Sequence, residues 1–316
     1  MLDMSTVESY RPLLMTLAYR MLGSLSEAED IVQDALVDYT MTVDRSSIRH
    51  EKAYLVRMVT NRSLKLKQSA RKRHEFYVGQ WLPEPAIADD EFGRAASPLG
   101  SATAESGNPA NYIERQENIT YMMLVMLERL NAVERAVFLL RETLDFDYGE
   151  IADIVQKSEA NCRKIFSRAK EKLLGSTGED GGAEAIDPMR LNEEQAWAFA
   201  KAFMQAAETG NSSALVDMLA HDAVFVIDGG GKARAAINPI EGSERIAAFF
   251  ISNVRKGTLG DSLLPVDVSG QPGFIVSQNG QPTMVMVFGW DSEKKISRIF
   301  IILNPDKLKN VTKQFS

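Results

Sequence analysis

Of 316 residues only one is a cysteine, Cys162, which leaves no disulfide framework and no multi-cysteine zinc site within one chain. A reducing cytoplasm is the expected compartment. No uninterrupted apolar run reaches about 18 residues, and the stretch 1–20 lacks a charged-then-apolar leader, so neither a membrane span nor secretion is expected. Internal repeats and long low-complexity runs are missing as well. Positive charge is in deficit: the net charge of −7 by itself argues against nucleic-acid binding, because phosphate affinity comes mainly from clustered Lys and Arg.

The mean charge hides a partition. Residues 49–73 carry nine Lys/Arg against one acid and residues 157–172 carry six against two, which leaves −19 for the remainder. Two basic elements suited to DNA therefore sit in a chain whose other surfaces suit a protein partner. The length predicts two or three domains, and 45% hydrophobic residues suffice for as many small cores.

Tyr10, Leu13, Leu14, Leu17, Ala18 and Met21 recur at helical spacing, so a first helix ends near Gly23, with Pro12 in its first turns or at its start. Ser26 and Glu29 read as the capping box of a second helix, in which Ala28, Ile31, Val32, Ala35, Leu36 and Tyr39 repeat the spacing. A third helix begins near Lys52, buries Leu55, Met58 and Val59, and runs into a basic stretch. Residues 1–75 thus form an all-α block. From 76 to 110 periodicity fails and Pro and Gly recur, marking a linker with one island, Trp81-Leu82-Pro83-Glu84-Pro85. A second all-α block spans 111–175, with caps at Asn131/Glu134, Asp147/Glu150 and Ser158. After the Gly- and acid-rich linker 176–191, the block 192–316 reads as α+β, with helices at 193–208, 212–219 and 243–254 and strands at 223–227, 274–278, 283–289 and 296–303.

Within the second block, a helix from Asp147 to Val155, a turn at Gln156–Ser158 and a basic helix from Glu159 to Leu174 follow one another as in a helix-turn-helix. If Cys162, Ile165, Phe166 and Ala169 pack inward, then Asn161, Arg163, Lys164, Ser167 and Arg168 face out, where Arg and Lys read guanine and Asn reads adenine. An ordinary helical hairpin with a solvated basic side is the competing reading. The basic run of the first block, with Arg57, Arg62, Lys65 and Lys67, is equally open to a solvated-face reading. Together, on one chain with a flexible link, the two helices match a protein that touches two DNA elements at a distance.

The run Tyr19-Arg20-Met21-Leu22-Gly23-Ser24 with Ala28-Glu29-Asp30-Ile31-Val32-Gln33-Asp34 resembles the first helices of sigma-70-type factors. Ala136 to Glu142, then Glu150-Ile151-Ala152 to Arg163, resembles their promoter −35 reader. Trp81–Pro85, Asp228-Gly229-Gly230-Gly231-Lys232 and Asn304-Pro305-Asp306-Lys307-Leu308 are similar to motifs of the extracytoplasmic-function subgroup that carries a C-terminal SnoaL-like extension. The resemblance implies a multidomain protein: an all-α sigma domain 2, an all-α helix-turn-helix sigma domain 4 and an α+β SnoaL-like (nuclear transport factor two-like) cone. It implies core polymerase binding, on the β′ clamp and β flap, with Asp30, Gln33, Asp34 and Asp38 on the clamp. Arg57, Asn61, Arg62 and Lys65 would lie at the −10 element, with the loop Asp44–His50 near unpaired bases, and the outward set of the helix-turn-helix at the −35 element. The three motifs would be regulatory contacts by which the extension controls promoter-specific initiation in cis.

An enzyme needs a carboxylate or His inside the cone, and the candidates are His221, Asp222, Asp228 and Asp267. Adjacent on an extended strand, His221 and Asp222 should point to opposite faces. No catalytic residue, metal or cofactor is expected. The alternative is a regulator whose third domain is a working isomerase or cyclase, or a sensor of an unknown small ligand. Asp228–Lys232 reads locally as a hairpin turn or, more weakly, an anion-binding nest. Trp81, a large aromatic in a linker, is expected to fill a pocket on the third domain.

Overall fold

The computed structural model describes residues 8–41, 48, 50–74, 77–87, 120–174, 193–258 and 260–314. Most of the loop 44–50, the linker beyond Ile87 and the 176–191 linker lie outside the described residues. Helices α1 (Arg11–Leu22), α2 (Leu25–Met41) and α3 (Glu51–His74) make the first block. Pro12 occupies the first turn of α1, where its missing N–H is no loss, and the helix stops at Gly23, whose φ of 73° lets its N–H reach Tyr19 O at 2.7 Å. The Ser26/Glu29 capping box does not form. The turn at Gly23 delivers the chain into α2 at Leu25, and it is Ser24 Oγ that accepts the Glu27 N–H, at 3.3 Å.

Helices α4 (Tyr121–Leu127), α5 (Ala132–Glu142), α6 (Tyr148–Val155) and α7 (Glu159–Leu174) make the second block. Asn131 with Glu134 and Asp147 with Glu150 close reciprocal capping boxes, and Ser158 Oγ accepts the Asn161 N–H at 3.3 Å. Gln156 takes a φ of 53° to turn α6 into α7, the position where glycine is easier. α5 and α6 pack against α3, so the two helical blocks touch directly.

The third block holds α8 (Glu193–Thr209), α9 (Ser212–Met218), α10 (Ser243–Arg255) and α11 (Lys309–Gln314) with strands β1 (Leu219–Asp228), β2 (Ile240–Glu241), β3 (Ser262–Val268), β4 (Gln271–Gln278), β5 (Gln281–Trp290) and β6 (Ile296–Ile302). They form one sheet in the order β2-β1-β6-β5-β4-β3, with β1 and β6 parallel and the other neighbours antiparallel. Strand β3 departs from expectation, since Pro265 interrupts its pattern. On an edge strand Pro is tolerated, and Ser269-Gly270, both at positive φ, closes the hairpin to β4 as Asn279-Gly280 closes the next one. Asp228–Lys232 is no tight hairpin: Gly229 O accepts the Lys232 and Ala233 N–H groups, both at 3.0 Å, and the chain crosses 233–239 before pairing as β2.

Alternation along the strands splits the apolar side chains between two cores. One face of the sheet, with Phe225, Phe274, Met286, Phe288 and Ile299, packs under α8 and α10 through Phe203 and Phe250. The opposite face, with Val266, Val268, Ile275, Val285, Val287, Phe300 and Ile302, belongs to the same continuous core as the first two helical blocks. Tyr121 meets Phe300 at 5.8 Å between ring centroids, and Gly289, lacking a Cβ, lets Met122 reach the sheet. Three sequence blocks therefore share two cores, one against each face of the sheet.

Candidate functional site

The 77–87 segment runs through the middle of the molecule, and its contacts converge on Asp228 at the end of β1. Asp228 is fully buried: Oδ1 accepts the Tyr77 hydroxyl at 2.6 Å, while Oδ2 accepts the Leu82 N–H at 2.9 Å and the Lys307 ammonium at 2.7 Å. Lys307 also donates to Leu82 O, and Asn304 Nδ2 donates to the Tyr77 oxygen at 2.8 Å. The backbone N–H groups of Leu303 and Asn304 return to Asp228 O at 2.8 and 3.0 Å, which ties the strand end to the 304–308 turn. Gly230 is required because a Cβ at its φ of 58° would collide with the Asn304 amide. Lys232 and Asp306 pair at the surface, and Leu308 enters the core. Burial, with the Asp228 carboxylate beside it, pushes the Tyr77 hydroxyl well above its ordinary value; burial lowers Lys307 against the opposing pull of Asp228.

On its other side the segment grips the helical blocks. Glu84 is buried; its carboxylate accepts Ser24 Oγ at 2.7 Å and the Leu25 N–H at 2.8 Å, its own N–H donates to Gly23 O at 2.8 Å, and its carbonyl accepts Tyr19 Oη at 2.5 Å. Burial raises the Glu84 carboxyl despite those donors. Pro83 O accepts Tyr121 Oη at 2.7 Å, and Ala86 O accepts the Ser269 N–H at 2.9 Å. Pro85, like Leu82, is buried. Trp81 is only half-buried, and its ring does not fill a pocket of the third domain alone. It lies between Gly23 of the first block and the ammonium of Lys307, because both neighbours were brought to it by the segment's own backbone contacts.

A second cluster joins the two helical blocks. Glu128, just past α4, takes Lys67 of α3 at 2.8 Å and the fully buried Arg135 of α5, whose Nε donates to Arg20 O at 2.6 Å. Burial, aided by the Arg135 cation, lowers Lys67 to about 8. Gln271 of β4 reaches across to the first turn of α4, where its Oε1 accepts the Met122 N–H at 2.6 Å. Tyr77, Lys67, Glu128 and Gln271 were not among the expected contact residues. Tyr77 could have been suspected as an aromatic in a linker, whereas a single Glu or Gln carries no spacing signal.

The outward sets lie where helical spacing puts them. On α2, Asp30, Gln33, Asp34 and Asp38 are exposed, and Val37 and Met41 join them on the same face. Arg62 is half-buried beside that face, paired with Asp38 and 3.6 Å from Asp34, so it is drawn toward the acidic helix rather than standing with the exposed Arg57 and Lys65; Asn61 is half-buried. On α7, Asn161, Arg163, Lys164, Ser167 and Arg168 are all exposed while Cys162 and Ala169 are buried. His221 and Asp222 are both exposed, on the stretch of β1 where the register against β6 shifts between Leu219 and Val224. Asp267 accepts the Gly270 N–H at 2.7 Å within a turn. The space under α8 and α10 is filled by Phe203, Phe225, Phe250, Phe274 and Phe288. Among the described residues no helix is long and apolar enough to cross a membrane.

Residues 6–73 match the family described as Sigma-70 region 2, and residues 121–173 match Sigma-70, region 4. Along nearly the whole length, the chain is 29% identical to the ECF RNA polymerase sigma factor SigJ of Mycobacterium tuberculosis, covering 97% of this chain and 93% of that one. The chain resembles the extracytoplasmic-function sigma factors along nearly its whole length. As a sigma factor it binds RNA polymerase core and directs promoter-specific initiation. A second relative, a probable ECF RNA polymerase sigma factor SigI of the same species, is 26% identical over 95% of this chain and 92% of its own length. The crystal structure of M. tuberculosis SigJ superposes with a TM-score of 0.70 at 25% identity, covering 97% of this chain and 98% of that one. The sigma factor thus carries region 2 on α1–α3, region 4 on α4–α7 and an α+β extension packed against both.

Proposed function

We propose that the SnoaL-like extension controls this sigma factor in cis, by clamping the linker so that regions 2 and 4 are held in one closed arrangement. The observation that carries this reading is the buried Asp228 carboxylate, which receives the linker's Tyr77 hydroxyl and Leu82 N–H together with Lys307 of the extension. A carboxylate withdrawn from water needs its donors, so departure of the linker would take two of them away and open the Asp228–Lys307 pair to solvent. In this reading Asp30, Gln33, Asp34 and Asp38 dock on the β′ clamp, and region 4 meets the β flap. Arg57, Asn61, Arg62 and Lys65 contact the −10 element, and Asn161, Arg163, Lys164, Ser167 and Arg168 contact the −35 element, in the cytoplasm. Promoter DNA and polymerase then compete with the clamp, and no chemistry is asked of the extension. The test is transcription by holoenzyme carrying Trp81→Ala, Asp228→Ala or a chain ending at 303, with circular dichroism to verify folding. Changed promoter output from folded variants supports the reading; parental output from all of them sinks it.

A second role, sensing a small ligand, is favoured by one observation: the Trp290 indole N–H, at the edge of the aromatic interior, is buried and has no acceptor among the described residues. Calorimetric titration with small aromatic ketones would detect such a site, and no heat with any of them would remove the role.

A further inference from the structure

Tyr148 begins α6 and is half-buried, with its N-terminal turn held by the Asp147/Glu150 capping box. Its ring is fixed by Phe166 of α7, edge-on at 6.2 Å and 74°. Arg163, one turn before Phe166 on α7, brings its guanidinium to 4.4 Å from the centre of that ring, and Glu159 holds the same guanidinium from behind at 3.3 Å. Arg141, in the last turn of α5, stands 5.1 Å from the ring and is anchored by donation to Phe146 O at 2.9 Å. One aromatic ring therefore gathers two guanidiniums from helices on either side of it. The Arg163 side chain is 59% exposed, so burial does not restrain it; what restrains it is this ring and one carboxylate.

We propose that Tyr148 is a positioning residue for promoter specificity: it holds the Arg163 guanidinium in the geometry from which a base edge is read. The inference rests on Arg163 being a −35 reader. A long cation free in water loses many rotamers when it engages guanine, and a guanidinium already stacked on an aromatic face loses fewer, so discrimination sharpens. A tyrosine that served packing alone would affect every contact of region 4 equally, because it would act through the stability of the whole bundle. A positioning ring acts at one base.

The experiment uses holoenzyme made from the full chain and core polymerase, selecting from promoters randomised across the −35 element. Arg163→Ala identifies the base position it reads by flattening preference there. Tyr148→Leu is expected to weaken preference at that same position about two- to fivefold, the range of a cation–π contact. Tyr148→Phe, which keeps the ring, should retain the parental preference, and Tyr148→Leu with Arg163→Ala should be no flatter than Arg163→Ala alone. Melting temperatures of both Tyr148 variants accompany the selection. An even loss across all positions with Tyr148→Leu, or parental preference at the Arg163 position, overturns the inference alone. If Arg163→Ala leaves every preference intact, the −35 assignment falls and takes this inference with it.

Discussion

The ammonium of Lys307 stands 3.9 Å from the centre of the Trp81 ring, and that ring approaches Gly23 so closely that a Cβ there would lie 2.5 Å from its edge. The linker tryptophan is thus shared between the extension, through a cation, and region 2, through a missing side chain. Lys67 of α3 lies over the same ring at 5.6 Å, so one aromatic side chain couples the helix proposed for the −10 element to the extension.

Trp81→Ala should lower the stability of the closed state by about 3 kcal/mol, the low end for removing a large aromatic from a packed site. Urea denaturation of the full chain measures it, and Trp81→Phe should recover part of the loss. A change below about 0.5 kcal/mol, the scale of an ordinary surface substitution, would mean the ring is not part of the clamp.

Asp228→Asn leaves the Lys307 ammonium buried without its counter-charge, at a cost of about 3–5 kcal/mol. Adding Lys307→Met removes the stranded charge, so the double variant should be more stable than Asp228→Asn by itself. Additive losses in the double-mutant cycle would show that the two groups are not energetically paired.

Gly23 and Gly280 have nearly equal φ values, 73° and 75°, but a Cβ meets nothing within 4 Å at Gly280. Gly280→Ala should cost only the left-handed backbone penalty, about 1–2 kcal/mol. Gly23→Ala should cost more and should expose Trp81, read as a red shift of its fluorescence. Equal losses with unchanged emission would contradict the close approach of the linker.

Lys67 is lowered from 10.5 to about 8 by burial, with Arg135 adding to the effect and Glu128 opposing it. The unfolded chain therefore binds more protons at this group between about 8 and 10.5, so its contribution to stability rises with pH across that window. Below pH 8 both states are protonated and the unfavourable contribution is constant. Stability curves of the parent and Lys67→Met should converge or cross in the parent's favour from pH 8 to 10, and a flat difference would place Lys67 in water.

Ending the chain at 175 uncovers Tyr121 and Met122, which Phe300 and Gly289 of the sheet now cover. An exposed apolar face of that kind favours self-association. Light scattering and dye binding should report it for the chain ending at 175 but far less for the chain ending at 303, which keeps the sheet. Identical monodisperse behaviour would mean the extension leaves region 4 uncovered.

Helices were legible because their signals are local. Asn131 with Glu134 and Asp147 with Glu150 are three residues apart, and the buried positions of α7 follow a 3.6-residue period. Strand β3 was hidden because an edge strand tolerates Pro265, and the Ser269-Gly270 turn that announces it lies at its far end. The early start of α2 was hidden because Gly23 and Ser24, not the expected Ser26, shape its entrance. Trp81–Pro85, Asp228–Lys232 and Asn304–Leu308 stood out as motifs, yet nothing in their spacing named Tyr77, Lys67, Glu128 or Gln271 as their neighbours.

What the sequence by itself determined is therefore most of the helices, four of the strands, the two outward basic faces and the family resemblance, since each depends on residues close together along the chain. Only the tertiary structure decided which faces are shared: that one side of the sheet completes the core of the helical blocks, and that Asp228, Tyr77, Leu82 and Lys307 meet although they are separated by as many as 230 positions. The physical reason is that a buried charge is tolerable only where several donors converge on it. Convergence of groups so distant in sequence is a property of packing, which leaves no period in the sequence to read.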